Sequence, residues 1–248
     1  MSNLNEHPEI KELIETLDNN GFQKEKAEVV SLVDYIADME TTLSGMLKEI
    51  QAMRNEVNLI HNSSVRAKCG RLVDKAENSI KQVISVIRTL KEKLVESAKS
   101  TLQSFKDKGK VALQKAITDM KIPETLDKLQ SLFQRVSKTL EQDARQIEVM
   151  RSELNKSKVH LKNFSLAMLG KDIKETEFSK QDKGILSSFR RGYEKLSKGF
   201  ANMSQKARNL ADKLRFENIK GSVKKDLEFL KNNSTTQNKN TPFIEQSR

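Results

Sequence analysis

The chain has 248 residues, with 45 lysines and arginines against 34 aspartates and glutamates, no tryptophan and a single cysteine. Its 36% of hydrophobic residues is too little for a thick spherical core and suits thin helical layers with much solvated surface, while three prolines and nine glycines leave few turn signals for a sheet fold. One cysteine excludes an intramolecular disulfide and an all-cysteine zinc site, and no apolar run approaches the roughly 18 residues of a membrane-spanning helix. The opening MSNLNEHPEIKE lacks a basic stretch followed by an apolar one, so no signal peptide is expected and the expected location is cytoplasmic. The charge is uneven: residues 1–62 hold 5 basic and 12 acidic side chains, net −7, and the remainder holds 40 against 22, net +18. An acidic first helix beside a basic remainder attracts its own chain, or the basic part meets an acidic partner.

In chain order, a short helix is expected from His7-Pro8, where proline and Glu9 suit a first turn, to the left-handed cap signal Asn19-Asn20-Gly21. The first long helix then runs from about Gln23 to Ile60 on two rows spaced by seven, Val29, Ile36, Leu43, Ile50, Val57 and Leu32, Met39, Met46, Met53, Ile60. Three methionines on one row give a deformable seam, which suits core packing or an adaptable groove. His61-Asn62-Ser63-Ser64 reads as a turn. The next helix spans about Val65 to Lys121 on Val73, Ile80, Ile87, Leu94 and Ala76, Val83, Leu90; its seam then shifts to Ala98, Leu102 and Phe105, and Gly109 weakens it as a hinge or a close approach. Pro123 ends or kinks that helix and fits the first turn of the next one, leaving a bend and a reversal equally open.

From Pro123 to about Leu169 the repeat is longest: Leu126, Phe133, Leu140, Ile147, Leu154, Leu161, Met168, with Leu129, Val136, Asp143, Met150, Ser157, Phe164 three residues on. A seven-residue period keeps one seam of an α-helix against another helix. Gly170 to Ser179 lacks the repeat and reads as a linker, and Ser179-Lys180-Gln181-Asp182 fits an acidic variant of the capping box. The last main helix runs to about Phe216 on Leu186, Tyr193, Phe200, Ala207, Leu214 and Phe189, Leu196, Met203, Leu210, with a shorter continuation on Ile219, Val223, Leu227 and Leu230. From Asn232 the tail is polar and aperiodic, the composition of a disordered segment. The expected organisation is therefore a short helix and cap over 1–21, a helical core over 22–170, a linker over 171–179, a helix packing on the core over 180–231 and a disordered tail over 232–248.

The flanks of the longest seam, Gln130, Ser137, Ala144, Arg151, Lys158 and Leu132, Thr139, Gln146, Glu153, His160, are mostly small or uncharged rather than lined with the opposite charges that choose a two-stranded partner. Wide stripes at Val33, Leu47, Leu72, Ile84 and Val86 touch more than one neighbour. These features predict an all-α fold: an elongated, mostly antiparallel bundle of about four long, heptad-patterned, coiled-coil-like helices, with a homo-oligomeric coiled coil as the structural alternative.

Asp143 and Ser157 occupy seam positions where apolar residues are expected, and polar seam residues set register. Lys75, Lys81, Arg88, Lys99, Lys106 and Lys110 form a candidate face for an anionic partner, without the aromatic residues of a nucleic-acid stacking surface. Cys69 beside Lys68 and Arg71 is a candidate for a lowered thiol pKa or an ordinary small residue. Gly192 and Gly199, seven apart, admit a close helix approach. Three scattered histidines give no metal spacing, and Gly170-Lys171 lacks the pattern of a phosphate loop, so no cofactor, metal or small-molecule substrate is expected.

Arg66-Ala67-Lys68-Cys69, Ser104-Phe105-Lys106-Asp107-Lys108-Gly109-Lys110, His160-Leu161-Lys162-Asn163 and Met168-Leu169-Gly170-Lys171 resemble segments of an uncharacterised family of helical proteins from Gram-positive gut bacteria, often near mobile genetic elements. The resemblance covers about residues 10 to 200 and implies a bacterial origin; it implies no activity. The functional expectation is a non-enzymatic helical scaffold with an unknown protein partner. The alternative is a peripheral binder of nucleic acid or anionic membrane.

Overall fold

A computed structural model describes residues 4–171 and 184–237, with side chains as far as residue 216 in the last helix. The described residues are all helical apart from turns: a 3-10 turn at Leu4–Glu6, then α1 (Pro8–Asn19), α2 (Gln23–Asn58), α3 (Ser63–Lys108), α4 (Lys110–Asp119), α5 (Ile122–Met168) and α6 (Ile185–Gln237). None of the helices searched among these residues is long and apolar enough to cross a membrane.

The helix ends follow local chemistry. Pro8 sits in the first turn of α1, and Gly21 at φ +81 lets the Phe22 N–H reach the Leu17 carbonyl at 2.9 Å, closing the helix with a left-handed turn. The Asn62 side chain accepts from the Val65 N–H at 3.0 Å and starts α3.

The four long helices form a ring in the order α2, α3, α5, α6, each antiparallel to its neighbours. Between α2 and α3, Arg54 meets Asp74 at one end and Glu40 meets Lys91 toward the other. Lys75 meets Asp143 between α3 and α5. Between α6 and α2, the Tyr35 hydroxyl donates to the Met203 carbonyl at 2.7 Å and Ser188 donates to Glu56 at 2.7 Å. The short α1 and α4 cover the far end of α3 through Ile10, Leu13, Leu17, Leu113 and Ile117, all buried. The rows predicted in α2 and α3 are buried as expected except for Leu90, which is only partly buried, and they include Met39, Met46 and Met53, which are core and not a groove.

The closest pair is α5 and α6, where small side chains let two backbones meet. Ser137 donates to the Ser197 carbonyl at 2.9 Å, Ser197 donates back to the Ser137 carbonyl at 3.0 Å, and Ser204 donates to the Gln130 carbonyl at 3.1 Å. On the neighbouring face of α6, a Cβ on Gly192 would lie 2.6 Å from Met53 Sδ and one on Gly199 would lie 2.3 Å from Met46 Cε. The two glycines thus form notches for two methionines at the same spacing, the close approach that their repeat suggested.

Several expectations change. The helix expected over Val65 to Lys121 is broken at Gly109, whose φ of 72 and ψ of −159 fall where essentially only glycine goes. No atom lies within 4 Å of a Cβ built there, so Gly109 is a turn and not a close approach. Gly109→Ala is expected to cost about 2 kcal/mol from backbone strain alone, read as a lower urea midpoint; an unchanged midpoint would remove this account. Pro123 is one of the first residues of α5, after Lys121 in the left-handed conformation (φ 47, ψ 49). The reversal between α3 and α5 is therefore made by two joints, Gly109 and Lys121, with α4 between them.

The α6 helix continues to Gln237, past the Asn232 boundary expected from polarity, because a formed helix extends without a new nucleation step. The capping box at Ser179–Asp182 and all of the expected linker except Lys171 lie outside the described residues. The largest difference is in α5. Leu154 is only half-buried, and Leu161 and Met168 are exposed, although they continue the row that buries Leu126, Phe133, Leu140 and Ile147.

Candidate functional site

Part of the charge asymmetry is used inside the molecule. Asp38 pairs with Lys206 at 2.8 Å and Glu49 with Lys195 at 3.5 Å across α2 and α6, while Glu12 pairs with Lys106 at 3.1 Å across α1 and α3. These pairs change how the six expected cations read. Lys75 lies against Asp143 and Lys106 against Glu12. Lys81 lies against Glu77, whose carboxyl is held below the usual carboxylate range first by Lys81 and then by Arg54. Arg88, Lys99 and Lys110 are exposed and make no ion pair among the described residues. At about 100° per residue, Lys81, Arg88, Lys99 and Lys106 fall on one line along α3, but so does Glu92, and Lys75 stands about 120° away. Lys110 belongs to α4. The structure therefore splits the six and does not gather them into one patch.

Asp143 is 1% exposed, with Lys75 Nζ 2.8 Å from its Oδ1 and no hydrogen-bond partner for Oδ2 among the described residues. The buried Tyr193 phenol is pushed well above the usual tyrosine range, by burial first and then by the charge of Asp143, with Cys69 contributing. A polar layer thus forms inside the bundle at the Lys75–Asp143 pair, with the buried Tyr193 in the field of the Asp143 charge. Ser157, the other polar seam residue, is exposed beside Val65, Lys68 and Met150 near the end of the bundle.

Cys69 is fully buried, and burial raises its thiol pKa to about 11, outweighing the nearby charge of Lys68. Native protein at pH 8 is expected to react with a disulfide reagent only as fast as it unfolds; stoichiometric labelling within seconds would contradict this placement.

The α3 and α5 helices leave an open seam. One cleft of about 360 Å³ lies between Val86, Leu90 and Lys93 on α3 and Lys128 and Leu129 on α5. At the other end of the same seam α5 outruns its neighbours. Arg151 reaches Ser187 near the start of α6, and Ser157 faces Ser64 near the start of α3. From residue 158 to the end of α5 the helix projects roughly 16 Å with no long helix beside it among the described residues. On this end Leu161 is 69%, Phe164 64%, Met168 75% and Leu169 66% exposed. Residues 154–171 carry Lys156, Lys158, Lys162 and Lys171 and no acidic residue. Only Lys156 makes an ion pair among the described residues, with Glu153 at 2.7 Å.

This projecting end is absent from the candidates drawn from the sequence, which read Leu161 and Phe164 as ordinary seam residues. The available signal was the lack of any acidic residue after Glu153, where the seam still runs. Among the described residues no group of three or more His, Cys, Asp or Glu side chains is placed to hold a metal ion. In comparison with known proteins, no curated protein and no solved structure matches the chain. A protein family described only as of unknown function matches residues 6–248.

Proposed function

The chain belongs to that family of unknown function, DUF6674, so its role is read from its own surfaces, and we propose that it is a non-enzymatic helical scaffold that binds a protein partner through the projecting end of α5. One observation carries this reading. A heptad row that is core in the bundle continues, in the same phase, onto a helix end where its large apolar side chains stand in water. Contiguous exposed apolar surface of this kind marks interaction sites in folded proteins. A bacterial host and a mobile-element setting are the resemblance's own implications and are kept as part of the proposal.

A photo-crosslinking residue at Leu161, in living host cells, is expected to join the protein to a discrete second protein. The same residue at Val111, 82% exposed on α4, is expected not to. Equal products at both positions, or none at Leu161, would overturn the reading.

The alternative, a peripheral binder of nucleic acid or anionic membrane, draws on Arg88, Lys99 and Lys110, which are exposed and make no ion pair among the described residues. It expects salt-sensitive binding of the intact protein to DNA, RNA or anionic vesicles, weakened when these three become glutamine. No binding at low salt removes it.

A further inference from the structure

We infer that the projecting end of α5 accepts an acidic amphipathic helix of another protein, an inference that rests on reading this end as the interaction surface. The first support is periodicity. Leu161 and Met168 keep the row, and Phe164 keeps the partner row, of the seam that α5 buries lower down. A seam in heptad phase is shaped for a second helix, whereas a lipid surface needs an apolar face of no particular register.

The second support is charge. At about 100° per residue, Lys158 and Lys162 flank one side of the apolar row, and Lys171 follows just past the helix end, after Gly170 at φ +65. Flanking charges select the partner, and these select carboxylates. They also disfavour a second copy. Two projecting ends laid side by side would oppose lysine to lysine. The acidic α1–α2 region of a second copy has the right charge, but its only exposed large apolar side chain among the described residues is Leu59, beyond the end of α2. The partner is then a different protein that offers leucine-like side chains at heptad spacing with Asp or Glu beside them.

The test uses the intact protein and a labelled peptide of three heptads, with leucine on the seam and glutamate on the flanks. It is run beside the same peptide with lysine flanks, a DNA duplex and phosphatidylglycerol vesicles. The glutamate peptide is expected to bind. Leu161→Ser with Phe164→Ser, and separately Lys158→Glu with Lys162→Glu, are each expected to weaken it at least tenfold with the thermal midpoint unchanged. Binding of neither peptide would overturn the inference. Equal binding of the lysine peptide, lost on Leu161→Ser with Phe164→Ser, would overturn the acidic partner but leave the interaction surface standing. Binding of DNA or vesicles through these residues, with no peptide bound, would overturn both. A dimer in light scattering that the serine pair dissolves would assign the end to a second copy and overturn the inference.

Discussion

Leucine at position 197 is expected to cost about 3 kcal/mol of stability, against about 1 kcal/mol for alanine at the same position. Ser197 and Ser137 Oγ atoms lie 3.1 Å apart, and each hydroxyl donates to the other residue's carbonyl. A side chain that reaches the backbone of a neighbouring helix with one atom beyond Cβ leaves no volume for more. Ser204, with its bond to the Gln130 carbonyl, keeps the same closeness further along the interface. Alanine removes the bond that the Ser197 hydroxyl donates, leaves the Ser137 hydroxyl its bond to the carbonyl of residue 197, and keeps the spacing. Leucine removes the Ser197 bond and also forces the helices apart, which strains the whole α5–α6 contact. Urea unfolding separates the two: the leucine midpoint should fall much further, with little change in slope. Equal losses for the two variants would show that the hydroxyls, and not the close approach, stabilise this interface.

Lys75→Met is expected to destabilise by about 3 kcal/mol, and Asp143→Leu by little or nothing, with the double substitution close to wild type. The asymmetry comes from burial. The Asp143 side chain is 2% exposed and the Lys75 side chain 52%. Without its partner, Lys75 turns to water at small cost. Asp143 has no such route, since its Oδ2 already lacks a hydrogen bond and Tyr193 lies buried nearby. Thermal and urea unfolding of the three variants check the prediction, and a loss on Asp143→Leu as large as on Lys75→Met would contradict it. The same set tests register. If the polar layer sets the alignment of α3 and α5, Asp143→Leu should keep its stability while light scattering and crosslinking show mixed species.

Much of the architecture was legible because the seam is a local property of the sequence. The period of seven in α2, α3, α5 and α6 specifies amphipathic helices without reference to any partner, and Asn62 through its side chain and Gly21 through its backbone mark helix ends locally. The small or uncharged flanks at Gln130, Ser137 and Ala144 spoke against a two-stranded coiled coil, and Ser137 and the Gln130 carbonyl now meet the closest neighbour in the bundle. The break at Gly109 was visible only as a weakness, because a glycine inside a periodic run reads alike as a tolerated residue, a notch or a turn.

The candidate site was less legible, because charge and exposure depend on neighbours far away in the chain. The six cations of α3 and α4 looked like one face until Glu12, Glu77 and Asp143 arrived beside three of them. Leu161, Phe164 and Met168 carry the same pattern as Phe133 and Leu140, and nothing local tells the two sets apart. By itself, the sequence determined that the chain is helical, which face of each helix is apolar and that α5 keeps one seam for its whole length. Only the tertiary structure decided where that seam has a partner. Hydrophobic periodicity is set by the residues of one helix, whereas burial is set by where the other helices stop, and among the described residues they stop before α5 does.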